Sequence, residues 1–464
     1  MHSFAIAPDP QARGRAQSPA YVLLLASVAA ISGFLFGFDT AVINGVLFFL
    51  RLQFHLSPVL TETAASSLLV GCLVGAASAS LIGDRMGRKK SLIFSALLFA
   101  VSSIGAALAN SILLFCIWRL VGGVAIGLAS VLTPVYIAEI APARNRGTLV
   151  AMNQLAIVVG ILIAYLVSWK MAVLGDNSWR WMLGVAAIPS LAFFFGLLAI
   201  PESPRWLISH NKRAEGEAVL TRIFGAAEAR EQVLLVEKAA AEEDGSWREV
   251  FARPMRRPLG IAITLALLCQ LTGINTVLYY GSIIISEHFH GQSTGTALAA
   301  NVIIGSTNLV CTLIAMIVLD RWGRRTMLLT GTAGMTLALI TMVGALHMGN
   351  VSPSIVLGSV ILYTGFFAFA MGPVPWIIIS EIFPTKIRGR AASIATSALW
   401  TGTLVVTFTF LSLVRRFNIS GTFAIYAVLS LVSFMFIWSS VPETRGKTLE
   451  QIQQEWGKRE MDRG

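Results

Sequence analysis

From residue 21 onward, the chain alternates between apolar runs of about twenty residues and short polar breaks. A helix needs about 20 mostly apolar residues to cross the hydrocarbon core of a bilayer. The pattern predicts twelve such helices, at 21–50, 64–83, 91–109, 112–138, 148–170, 181–200, 259–286, 297–319, 326–347, 354–380, 390–414 and 420–441. The polar stretch 202–258 interrupts the series after the sixth. Within it, the apolar positions of "AVLTRIF" and "REQVLLVEKAA" recur at helical spacing, which predicts short amphipathic helices on the membrane surface.

The second half repeats the first in order. "GDRMGRKK" at 83–90 returns as "LDRWGRRT" at 319–326, an offset of 236 residues. "AEIAPARNRG" at 138–147 returns as "SEIFPTKIRG" at 380–389, and "PESPRW" at 201–206 returns in part as "PETRGK" at 442–447, with offsets of 242 and 241. The expected fold class is thus an all-α membrane protein, twelve transmembrane helices in two six-helix repeats with short cytoplasmic linker helices. Parallel repeats of this kind are a transporter architecture, with the solute site near the membrane midplane between the halves. The expected organisation is a tail at 1–20, bundles at 21–201 and 259–441, a linker at 202–258 and a second tail at 442–464.

Charge then sets the orientation. Of the 35 Lys and Arg, 29 lie in loops or at span ends on the side of the termini and five on the other, with Arg119 alone well inside a span. Basic residues favour the cytoplasmic face, so both termini are expected in the cytoplasm of a multi-pass protein of the cell (plasma or inner) membrane. The net charge of +11 follows from this topology and needs no nucleic-acid partner. The first twenty residues read as a polar tail before a retained helix, not as a cleaved signal peptide. Only 13% of residues are charged, about half the share of a soluble domain. Cys72, Cys116, Cys269 and Cys311 lie in apolar runs without paired spacing and read as small packing residues. His288 and His290 form only a weak pair, so no metal is expected, and no cofactor.

Nine stretches in this order resemble the sugar porter family of the major facilitator superfamily, which includes bacterial proton–sugar symporters and facilitative glucose transporters. They are "GFLFGFDTAVING" at 33–45, "GDRMGRKK", "WRLVGGVAIG" at 118–127, "PVYIAEIAPARNRG", "PESPRWL", "QLTGINTVLYY" at 270–280, "DRWGRR", "GPVPWIIISEIFP" and "PETRGKTLEQI". The resemblance implies the major facilitator fold, a functional monomer, and a sugar or polyol with a proton as partners beside the lipid bilayer.

Asp39 and Arg119 are the two ionisable residues well inside the expected spans. A charge at the bilayer centre costs at least about 2.5–3.5 kcal/mol, so the economical arrangement pairs them across the first and fourth helices. Such a pair is either a fixed structural contact or a proton-coupling device. The resemblance favours coupling, because proton symporters of the family have aspartate where Asp39 stands. Gln154, Gln270, Asn275 and Asn308 are amides inside apolar spans, where each must find a partner. Sugar hydroxyls match their donors and acceptors, while interhelical hydrogen bonding is the alternative. Asn275 and Tyr279 share a helix face, and Gly273 lets the backbone bend beside them.

By resemblance, the amides are sugar contacts. Trp376 and Trp400 suit aromatic walls against the C–H face of a sugar, with bundle packing or an interfacial belt as the alternative. Trp376 follows Gly372, Pro373 and Pro375, where the tenth helix should break and could gate. Phe36 and Ile157 match pocket positions. Asp84, Arg88, Glu139 and Arg146, with their counterparts Asp320, Arg324, Glu381 and Arg388, are implied to form salt-bridge networks between the halves. Three positions depart from the family by losing hydrogen-bonding capacity: Cys269, Leu399 and Ala368.

The expected function is proton-coupled symport of a hexose or pentose by alternating access, with an uncoupled sugar or polyol facilitator as the alternative. A membrane sugar sensor is disfavoured by the short stretch after the last span. An enzyme is disfavoured because no nucleophile–base pair, phosphate-cradling loop or metal-ligand cluster stands in the loops.

Overall fold

The computed structural model describes residues 18–142, 146–242, 247–288, 294–348, 353–384 and 387–445. All regular structure among them is helical. Ten of these helices are long and apolar enough to cross a membrane. Two of the ten, Gly147–Ala199 and Arg388–Ser440, run for 53 residues. At 1.5 Å per residue each would extend about 80 Å, against a hydrocarbon layer of about 30 Å. Both turn back midway, the first at Gly175 (φ 76°) and the second at Asn418 (φ 57°). Asn418 also starts the returning helix, its Oδ1 accepting the Gly421 N–H at 2.9 Å. Twelve spans result, as the sequence predicts.

The helices overrun the expected boundaries because their ends stand beyond the apolar layer. The second span starts at Pro58, six residues before position 64, and takes Thr61, Glu62 and Thr63 into its first turns. Leu97, Leu113, Ile188, Ile317, Leu337 and Val428 project outward, as lipid-facing residues must.

Two spans are broken. The seventh consists of Arg253–Leu271 and Ile274–His288, separated by Thr272 and Gly273. Gly273 has φ 94°, and a Cβ there would lie 2.5 Å from the Tyr426 ring, so only glycine fits the break. The freed Thr272 carbonyl accepts from Tyr363 Oη at 2.9 Å. The tenth span runs Pro353–Phe366, then a π-turn at Phe367–Met371, then Val374–Glu381. Pro373 and Pro375 explain the interruption, because neither can donate a helical N–H.

The repeat is visible at atomic level on the side of the termini. Glu202 Oε1 accepts the Lys89 N–H at 2.9 Å at the start of Arg88–Ala107. In the second half, Glu443 accepts the Arg324 and Arg325 N–H groups at 2.9 and 3.1 Å at the start of Arg324–Met348. Each carboxylate satisfies donors that a helix N-terminus leaves unpaired.

The linker folds as Pro204–Ser209, Arg213–Phe224, Ala226–Glu242 and Trp247–Val250. The sequence places their apolar faces on the membrane surface. Instead, Ile208, Leu220, Ala229 and Val233 pack on one another as a small core. The helices satisfy each other's stripes, although Leu234 and Leu235 remain exposed. Residues 1–17 and 446–464 of the two tails lie outside the described residues.

Candidate functional site

A cavity of ≈ 80 Å³ lies between the halves, at the breaks in the seventh and tenth spans. It is lined by Phe36, Gln154, Ile157, Gln270, Asn275, Tyr279, Asn308, Gly372, Trp376 and Trp400, all ten residues that the sequence singles out for a solute site. Cys269 and Leu399, two of the three departures from the family pattern, line it as well, and Ala368 does not.

The polar groups are partly prearranged. Asn275 Nδ2 donates to Gln270 Oε1 at 2.5 Å across the break in the seventh span. The Cys269 thiol donates to the Met371 carbonyl at 3.1 Å, tying that break to the π-turn of the tenth span. Cys269 therefore does more than the space-filling expected of it. The Phe36 ring packs on Trp400 with centroids 5.1 Å apart, bridging the halves. On the same turn of the first span, Arg119 Nη1 contacts Asp39 Oδ1 at 2.5 Å. Both side chains are buried, and Asp39 Oδ2 and Arg119 Nε and Nη2 have no hydrogen-bond partner among the described residues.

The halves touch on both sides of the cavity. Away from the termini, Asn44 Nδ2 donates to the Leu278 carbonyl at 3.0 Å, and its Oδ1 accepts the Ser282 N–H at 3.0 Å. Glu62, buried in the second span, accepts from the N–H and the hydroxyl of Ser412. Toward the termini, Ser80 and Ser393 meet through their hydroxyls at 2.5 Å.

Among the described residues, the repeated charges form ion pairs within each half, where the family resemblance implies networks between the halves. Arg88 pairs with Asp84 and Glu139, both at 3.2 Å, and Arg324 pairs with Glu381 at 3.0 Å. Arg88 opens the third span and Glu139 ends the fourth, so one six-helix unit holds both partners. Arg388 donates to the Phe383 carbonyl. The side chains of Arg146 and Asp320 lie outside the described residues, as do that of His288 and the whole of His290.

Eight further residues line the cavity without being singled out by the sequence, Thr40, Ile161 and Thr403 among them. A signal existed for these three: each stands three or four positions after a residue already singled out, hence on the same helix face. Glu62 was missed because the polar run "TET" falls outside the expected second span.

Residues 25–456 match the family described as sugar (and other) transporter. The chain is 36% identical to the arabinose-proton symporter of Bacillus subtilis, over 95% of this chain and 96% of the relative. It is also 36% identical to the D-xylose-proton symporter of Escherichia coli, over 94% of this chain and 96% of the relative. Among solved structures it resembles the proton:xylose symporter XylE bound to 6-bromo-6-deoxy-D-glucose, with a TM-score of 0.83 and 34% identity. That match covers 94% of this chain and 99% of the other. These relatives are carriers, not enzymes. With a twelve-span fold, two broken helices around a central cavity and a family match along nearly its whole length, the chain belongs to the sugar transporter family of the major facilitator superfamily.

Proposed function

We propose that this protein is a proton-coupled symporter of a monosaccharide, a hexose or pentose, which it moves across the cell membrane by alternating access. The observation that carries this reading is the placement of Asp39 on the same turn of the first span as Phe36 and Thr40. Both neighbours line the cavity, while Asp39 faces Arg119. A proton arriving at Asp39 weakens the ion pair, and the turn that then moves is the one that touches the solute. The relatives named as arabinose-proton and D-xylose-proton symporters support the same reading.

The lining of the cavity, amides beside aromatic rings, suits a sugar's hydroxyls and its C–H face. Gln154, Gln270, Asn275 and Asn308 bind hydroxyls, Tyr279 and Gly372 complete the polar wall, and Phe36, Ile157, Trp376 and Trp400 hold the C–H face of the ring. Residues 21–201 and 259–441 rock as two bundles about this site, joined by 202–258, with both termini in the cytoplasm and one chain as the working unit.

The closed Asp39–Arg119 contact favours a second reading, an uncoupled facilitator in which the pair is purely structural. Transport by the purified protein in liposomes separates the two. Arabinose, xylose and glucose are offered with and without an inward proton gradient. Accumulation of one sugar above its external level only under the gradient supports symport, and equilibration indifferent to the gradient supports the facilitator.

A further inference from the structure

We infer that Glu62 is a latch that closes the transporter on the face opposite its termini, opposed by a weaker latch at the other end of the same helix pair. This goes beyond the proposed substrate and coupling, and uses only the alternating-access part of that reading.

Glu62 belongs to the second span and Ser412 to the eleventh, so the contact joins the two halves. The Glu62 side chain is 1% exposed. Its Oε1 accepts the Ser412 N–H at 2.7 Å and its Oε2 accepts the Ser412 hydroxyl at 2.8 Å. A carboxylate out of water is costly unless hydrogen-bonded, and one residue of the opposite half supplies a bond to each oxygen. Once the halves part on this face, the same carboxylate is free to take up water instead. Its interaction energy therefore differs between the two states, which is what a residue needs to bias a conformational equilibrium.

The other end of the pair carries a neutral counterpart. Ser80 meets the Ser393 hydroxyl at 2.5 Å and donates to the Gly389 carbonyl at 3.1 Å. Glu62 and Ser80 are 18 residues apart on one helix, about 27 Å at 1.5 Å per residue, nearly the thickness of the hydrocarbon core. The two contacts thus stand at opposite faces of the membrane. Rocking the halves opens one and leaves the other. Hydrogen bonds to an ionised acceptor are roughly twice as strong as neutral ones. The Glu62 latch therefore outweighs the Ser80 latch and biases the empty carrier toward states closed at the Glu62 face.

The test is a distance measurement by pulsed electron resonance on the full-length protein in lipid, without sugar or proton gradient. Its outcome is thus independent of the substrate and coupling reading. Spin labels go on Val59→Cys and Phe417→Cys, exposed positions near the Glu62 ends of the two spans, after the four native cysteines are replaced by serine or alanine. Glu62→Ala is expected to raise the ratio of separated to closed distances about tenfold. Ser412→Ala should move it in the same direction by less. The double variant should exceed Glu62→Ala by nothing, because both changes break one contact. Glu62→Gln, which keeps groups able to bond at both positions but removes the charge, should fall between the unaltered protein and Glu62→Ala. If Glu62→Ala does not fold, Ser412→Ala and Glu62→Gln carry the comparison. A distribution unmoved by these changes, or moved additively by Glu62→Ala and Ser412→Ala, overturns the latch.

Discussion

Arg119 reaches Asp39 through a single 2.5 Å contact between Nη1 and Oδ1, leaving Asp39 Oδ2 without a hydrogen bond among the described residues. A bidentate arginine–carboxylate pair would be the stronger and more rigid arrangement. The one-sided contact leaves part of the acceptor capacity of Asp39 unused, on the same turn as the cavity-lining Phe36 and Thr40. This is the geometry on which coupling is proposed to depend.

Asp39→Asn keeps the side-chain shape and removes the carboxylate. The variant should lose uphill accumulation while retaining counterflow exchange of the same sugar in liposomes. Accumulation that survives the change removes Asp39 from the coupling role.

Gln154 lines the cavity from the fifth span, and its Nε2 lies 3.5 Å from where a Cβ on Gly372 would stand in the opposite half. Gln154→Ala should weaken sugar binding about 5- to 100-fold, the loss of one or two hydrogen bonds to hydroxyls. The amount of folded protein should fall far less. Isothermal titration beside size-exclusion yield reads both. Equal losses would assign Gln154 to helix packing.

Leu399 is buried, precedes Trp400 and lines the cavity where the family resemblance implies an amide. Leu399→Asn restores a hydrogen-bonding group to an apolar stretch of wall. It should favour glucose over 6-deoxyglucose by about fivefold relative to the parent, the worth of one net hydrogen bond. Competition uptake with the two sugars measures the ratio, and an unchanged ratio would mean that Leu399 does not face the solute.

Glu202 and Glu443 hold the N-termini of the third and ninth spans from different halves and share no partner. Glu202→Ala and Glu443→Ala should each cost about 1–3 kcal/mol of stability. Their shifts in apparent melting temperature should add in the double variant. Thermal unfolding in detergent tests this, and a double variant no worse than either single one would show that the two caps are coupled.

The spans were legible because a bilayer admits little besides long apolar helices, so hydropathy alone locates them. The cavity was legible for a related reason: an amide such as Asn275 in an apolar helix has few acceptable environments, and the polar cavity is one. Of the contacts that depend on how helices meet, the Asp39–Arg119 pair was legible, because two charges inside a bilayer must find each other, and the others were not. Glu62 looks like a loop residue until the eleventh span is laid beside it. The linker stripes could have faced lipid or each other, and sequence periodicity is the same in both cases. The partners of Arg88 and Arg324 were legible as residues but not as pairs, since a repeat gives the set of charges and the packing decides which meet.

The most direct measurement is the pH of a weakly buffered suspension of de-energised vesicles carrying the protein, recorded as arabinose, xylose or glucose is added. The symport account predicts that one of these sugars alkalinises the medium as protons enter with it, and that Asp39→Asn abolishes the change while sugar still crosses. Sugar entry by the unaltered protein with no movement of protons would contradict the account and make this carrier a facilitator.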